Sequence, residues 1–165
     1  MTVAEIFQIA HLDPAGPLPF GESNTEDPPE TMPGVYVVAR VCNPAEDCNP
    51  CELPVSVPPG IEIDLEYERG RWLPCEPIVY VGKSDRSIRK RVAEFRRQQC
   101  GQVGSHHGGQ IIKLLNCNLW VYWAPANIPL KAEFDMLCGF NPSARQLPFG
   151  NQYPGGNKKR IRVSS

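Results

Sequence analysis

The chain has 165 residues, of which 41% are hydrophobic and 21% charged, and its formal net charge is −1. That length supports one domain with a real core and leaves no room for a large multidomain enzyme. No apolar run approaches the ~18 to 20 residues of a membrane span, and the N-terminus lacks the basic-then-apolar layout of a signal peptide, so a cytoplasmic protein without membrane contact is expected.

The near-zero charge hides a division. Residues 1–70 hold 13 acidic and 2 basic side chains; residues 71–165 hold 5 acidic and 15 basic. The C-terminal portion therefore has the electrostatic footprint of a nucleic-acid partner. The bland alternative is that the two halves pair with each other.

In chain order, Thr2–His11 reads as a short amphipathic helix, with Val3, Ile6, Phe7 and Ile9 or Ala10 on one face. Leu12–Pro33 reads as a loop rich in Pro, Gly and Glu. Residues 1–33 thus form a helix and a Pro-rich arm. Gly34–Val41 is a β-branched run and a strand. Residues 42–76 are a Cys- and Pro-rich insertion. Within it, Ile61, Ile63, Leu65 and Tyr67 alternate with Glu62, Asp64, Glu66 and Glu68, which predicts a half-buried strand with an acidic outer face. Ile78–Gly82 is the next strand.

Ser84 or Asp85 can cap the helix after it, whose apolar positions are Ile88, Val92 and Phe95. Arg86, Arg89, Lys90, Arg91, Arg96 and Arg97 surround that face. Gly109–Asn116 is a short helix, and Leu119–Ala124 a strand closed by Pro125. Pro129–Phe140 is a helix, with Leu130, Phe134, Leu137 and Cys138 as its apolar stripe. Residues 152–165 are a basic tail ending in Lys158-Lys159-Arg160-Ile161-Arg162.

Gly34-Val35-Tyr36 in one strand and Tyr80-Val81-Gly82 in another, followed by a basic helix, resemble the GIY-YIG endonuclease superfamily. The similarity extends to Arg91 on that helix, with Arg89 as its rival. It extends also to Glu133 on a later helix and to Asn151 in Leu-Pro-Phe-Gly-Asn, with Asn141 as its rival. Small stand-alone bacterial members are similar over Ser105-His106-His107-Gly108-Gly109 and the aromatic strand that follows. The resemblance spans residues 34–151, with Arg91 one residue farther from Tyr80 than the family pattern places it and with one insertion. Most members join the two motif strands by a tight hairpin, whereas here 43 residues separate Tyr36 from Tyr80.

The resemblance implies an α/β (α+β) fold, a small central antiparallel sheet flanked by helices. It implies a metal-dependent endonuclease acting on DNA, with RNA as the alternative substrate. Phosphodiester hydrolysis needs a deprotonated water, neutralised charge on the phosphorane and a stabilised leaving oxygen. Glu133 would hold one Mg²⁺ or Mn²⁺, hard ions that suit a carboxylate and keep several waters. Arg91 would grip the scissile phosphate with its planar fork. Tyr36 would be the general base, with Tyr80 and His106 relaying protons; a phenol with a pKa near ~10 needs a nearby cation for that role. Lys83 could supply the cation or contact the phosphate. Arg86, Arg89 and Lys90 would bind substrate, and Asn151 would fix the site's geometry.

No sequence-reading module is evident, so specificity would come from the insertion, the arm, the substrate's shape or a partner protein. Cys42, Cys48, Cys51 and Cys75 could form a structural zinc site, although only the C-x2-C piece has zinc spacing. The competing reading is reduced loop cysteines, with one disulfide after purification; Cys100, Cys117 and Cys138 read as core or surface thiols. Two other functions fit the chain: an inactive nucleic-acid-binding module and a zinc-stabilised protein-interaction domain.

Overall fold

The run Val35–Ala39 carries no charge on either side of the pleat, and this segment becomes the centre of a sheet buried on both faces. The computed structural model describes residues 1–21, 26–46, 51–54, 56, 59, 63–98, 107–140 and 146–152, and only the backbone over 107–110. Strand β1 is Ala15–Pro19, β2 Gly34–Ala39, β3 Ile78–Ser84 and β4 Trp120–Pro125. Their order in the sheet is β1-β4-β2-β3, with every neighbouring pair antiparallel. Helices flank the sheet, giving the mixed α/β class expected.

Alternation along β2 divides the core in two. Val35, Val37 and Ala39 pack with Val3, Ile6 and Phe7 of α1 (Val3–Ile9). Thr2 and Glu5 cap that helix reciprocally. On the opposite face Tyr36 and Val38 pack against a helix that follows β3, through its residues Ile88, Val92 and Phe95, and against Ile111 and Ile112 of the 3₁₀ helix His107–Leu114. The chain between the two motif strands leaves and comes back to pair β3 directly with β2, placing Tyr36 opposite Gly82 and Val38 opposite Tyr80.

Several elements differ from the sequence reading. The expected loop Leu12–Pro33 contains β1, an edge strand where Pro17 and Pro19 are tolerated. The strand expected near residues 61–68 is instead helix α2 (Leu65–Arg71), residues 61 and 62 lying outside the described residues. Asp64 caps it by accepting the Tyr67 N–H at 3.1 Å, and Glu66–Arg69 and Glu68–Arg71 pair one turn apart at 3.0 Å each. Helix α3 (Ile88–Arg97) is capped by Ser87, not by Ser84 or Asp85. Ser84 ends β3, and its hydroxyl bonds both the N–H and the C=O of Ser87, turning the chain into the helix.

The apolar stripe of α4 (Pro129–Gly139) is also rotated from expectation. Pro129, Ala132, Glu133, Met136 and Leu137 are buried, whereas Leu130, Phe134 and Cys138 are exposed. Glu133 is thus a buried carboxylate on the inward side of the helix.

Cys51 forms a disulfide with Cys117, their Cα atoms 5.5 Å apart. Of the four cysteines considered for zinc, Cys51 is therefore paired elsewhere. Cys42 and Cys75 are free and exposed, and Cys48 lies outside the described residues. Cys117, read as a lone thiol, is the partner. A bridge across 66 positions stabilises by up to about 4 kcal/mol in the chain-entropy account. Structural disulfides are rare in a reducing cytosol, so a cytoplasmic location implies that both residues are thiols there. No helix among the described residues is long and apolar enough to cross a membrane.

Candidate active site

The two motif glycines are explained by what surrounds them. A Cβ on Gly34 would lie 2.2 Å from the Ala124 carbonyl oxygen and 2.6 Å from Ile88, so only glycine lets β2, β4 and α3 meet. A Cβ on Gly82 would lie 2.6 Å from Tyr36 Cζ and 2.7 Å from Tyr80 Cε1. Gly82 thus makes the space in which both phenols sit. Their ring centroids are 5.9 Å apart, and Phe95 lies 5.0 Å from Tyr80.

The phenols are not equivalent. Tyr36 is fully buried and its hydroxyl has no hydrogen-bond partner among the described residues. Burial first, and then the neighbouring Tyr80, hold its pKa well above 10. Tyr80 reaches the cleft beside the site. Burial and the Glu133 charge raise its pKa as well, while the charge of Arg91 favours its ionised form. The geometry therefore gives Tyr80 access to a substrate and sets Tyr36 behind it.

Glu133 is 7% exposed, and its Oε2 is buried with no partner among the described residues. Burial, with Asp85 adding to it, pushes its pKa up to about 7, against the opposing pull of Lys83 and Arg91. The charge of Arg91 acts on Tyr36, Tyr80 and Glu133 together, which favours it over Arg89 as the site's arginine. Arg91 is half-buried on α3, 3.8 Å from Glu94, while Arg89 is exposed.

These residues open into a cleft of about 1450 Å³. Lys83, Arg86, Arg89, Lys90, Arg91 and Arg97 line it, against the carboxylates of Asp27, Asp85, Glu94 and Glu133. Lys83 is ion-paired with Asp85. The sequence reading missed Asp85, Arg97 and the arm residue Asp27. Asp85 reads in the sequence only as a helix cap, and Asp27 is brought in because Arg96 binds its carboxylate at 3.2 Å and the Pro19 carbonyl at 2.6 Å.

Asn151 does not reach into the cleft. Its Nδ2 donates to the Val81 carbonyl at 2.8 Å, and its Oδ1 accepts the Val81 N–H at 2.9 Å. It is 7% exposed, and it holds the strand that carries Tyr80. His106 and Asn141 lie outside the described residues, as does the basic tail from residue 153; of His107 only the backbone is described.

A hard divalent cation fits this donor set. Glu133 presents a buried, unpartnered oxygen whose ionised form burial disfavours more than Lys83 and Arg91 offset, and one carboxylate with retained waters is an ordinary way to hold Mg²⁺ or Mn²⁺. No protein-family model, curated protein or solved structure matches this chain.

Proposed function

We propose that this protein is a Mg²⁺- or Mn²⁺-dependent endonuclease of the GIY-YIG type, hydrolysing phosphodiester bonds in DNA. The observation that carries the reading is Glu133: a buried carboxylate with an orphaned oxygen, beside an arginine and two phenols, at the wall of a cationic cleft. A purely structural glutamate at that depth would have a partner.

Glu133 would hold the cation, which when bound would supply Lewis-acid stabilisation of phosphate charge. Arg91 binds the scissile phosphate and neutralises charge that grows in the transition state. The Tyr36–Tyr80 pair is the base. Tyr80, which lines the cleft, first gives its own phenolic proton to solvent, an ionisation that the charge of Arg91 favours, and the phenolate then takes the proton of the attacking water. The water oxygen forms the new bond to phosphorus, the bond to the leaving sugar oxygen breaks, and that oxygen takes a proton from solvent. Lys83, released from Asp85 by a phosphate, joins the contacts to the backbone.

The test is cleavage of supercoiled plasmid and of branched DNA with Mg²⁺, with Mn²⁺ and with EDTA. Nicking that needs the metal is expected. No cleavage of either substrate, with salt-sensitive binding retained, would move the reading to a binding module.

Binding itself has an expected signature. Arg89 and Lys90 are exposed on the cleft and meet phosphates, which carry no sequence information. R89Q and K90Q should each lower the magnitude of the slope of log K against log salt by about 1, with base preference unchanged. Fluorescence anisotropy of a labelled duplex on the metal-free protein, from ~50 to ~200 mM salt, measures it.

A further inference from the structure

The insertion between the motif strands carries α2, and Arg71 fastens α2 to the turn beside the candidate site. Arg71, the last residue of that helix, donates from Nη2 to the Phe149 carbonyl at 2.8 Å and to the Asn151 carbonyl at 2.7 Å. Its Nη1 donates to Glu68 Oε2 at 3.0 Å. Both side chains are largely buried, Arg71 at 20% exposure and Glu68 at 9%.

The turn that Arg71 grips is bonded to the open edge of the sheet. β3 is an edge strand, so its outward N–H and C=O groups need partners. The Gly150 N–H donates to the Val79 carbonyl at 2.7 Å, and the Asn151 amide closes on Val81 from both sides. Val81 lies between Tyr80 and Gly82, the residue under both phenols. Gly150 also touches Tyr80 directly, since a Cβ there would lie 3.0 Å from its ring.

On the nuclease reading, we infer that Arg71 is a positioning residue. It sets the 148–151 turn against β3 and thereby fixes Tyr80 in the cleft, so that the insertion braces the site it interrupts. Arg71 does not line the cleft. Its planar fork meets two carbonyls and one carboxylate at once, which the point charge of lysine does not reproduce. An aromatic ring displaced by about 1 Å can cost on the order of 100-fold in rate.

The experiment compares R71K, N151A and the double variant in the full chain by amide hydrogen exchange and by steady-state cleavage. R71K is expected to speed exchange at Val81 by at least ~10-fold while the interior amide of Val37 is unchanged, a local opening and not a global one. Its kcat is expected to fall ~10- to 100-fold with KM within ~2-fold. If Arg71 acts through Asn151, the double variant matches N151A alone, because the two effects share one path. The inference is overturned if R71K leaves Val81 exchange and kcat at wild-type levels. It is equally overturned if Val37 and Val81 speed up together, or if the two substitutions add. A wild type that never cleaves would sink the nuclease reading, while exchange at Val81 would still decide the brace.

Discussion

E133Q is expected to abolish metal-dependent cleavage and, in the absence of metal, to make the protein more stable at pH 8. Each half has its own cause. Removing the cation ligand removes charge stabilisation at the phosphate, for which a loss of about 100- to 1000-fold or more is the usual scale. The stability gain comes from burial. Glu133 is 7% exposed and its pKa is pushed up to about 7. In the unfolded chain a glutamate titrates near ~4.3. Between those values the folded protein holds a proton that the unfolded chain has lost, so stability falls as pH rises through about 4.5 to 7 and then levels off. Glutamine does not ionise and escapes this loss, leaving a gain on the order of 2 kcal/mol at pH 8.

Thermal melts at pH 8 and pH 4.5 check the sign. E133Q should melt several degrees above wild type at pH 8, about 2 to 4 °C for each kcal/mol, and level with it at pH 4.5. Mn²⁺ should raise the wild-type midpoint at pH 8 and leave E133Q unmoved. The cation must displace the Glu133 proton below pH 7, so its apparent affinity should drop about tenfold per pH unit there. A variant that melts lower than wild type at pH 8, or cleaves as well, would remove Glu133 from the site.

The sequence carries the sheet's centre well, because Val35–Val38 and Ile78–Val81 are β-branched or aromatic at every position. It also carries Tyr80, Arg91 and Glu133, which the fold brings to one cleft wall, with Tyr36 buried behind Tyr80. What it hides depends on contacts between distant residues. β1 is masked by Gly16, Pro17 and Pro19, which read as loop until β4 offers them an edge. The alternation near residues 63–67 suits a strand, and the Asp64 cap with two ion pairs one turn apart settles it as α2. The stripe on α4, read from hydrophobicity, places Leu130 and Phe134 inside and Glu133 outside the pattern. A site residue that breaks the apolar face is where such a reading fails. The pairing of Cys51 with Cys117 spans 66 positions and has no local signal at all. Asn151 can be picked from its neighbours, but its two bonds to Val81 cannot.

The two motif glycines predict opposite kinds of failure, and that contrast is the sharpest check on how the site is built. At Gly34 the obstacle is backbone: the Ala124 carbonyl oxygen at 2.2 Å and Pro125 Cα at 2.9 Å, in the strand next to it. Neither can move without parting β2 from β4, so G34A is expected to leave little folded protein. At Gly82 the obstacles are side chains, the Tyr36 and Tyr80 rings at 2.6 and 2.7 Å. Rings can turn where a carbonyl in a ladder cannot, so G82A should fold at an overpacking cost of about 1 to 3 kcal/mol. Tyr36 has nowhere to retreat, being fully buried with Phe95 at 6.5 Å, and the displacement passes to Tyr80 at the cleft. A shift of about 1 Å there should cost on the order of 100-fold in kcat. The measurement is a circular-dichroism melt and a single-turnover cleavage rate for both variants. A folded G82A with wild-type cleavage would mean that the Tyr36–Tyr80 pair has no part in the chemistry, whatever Glu133 does.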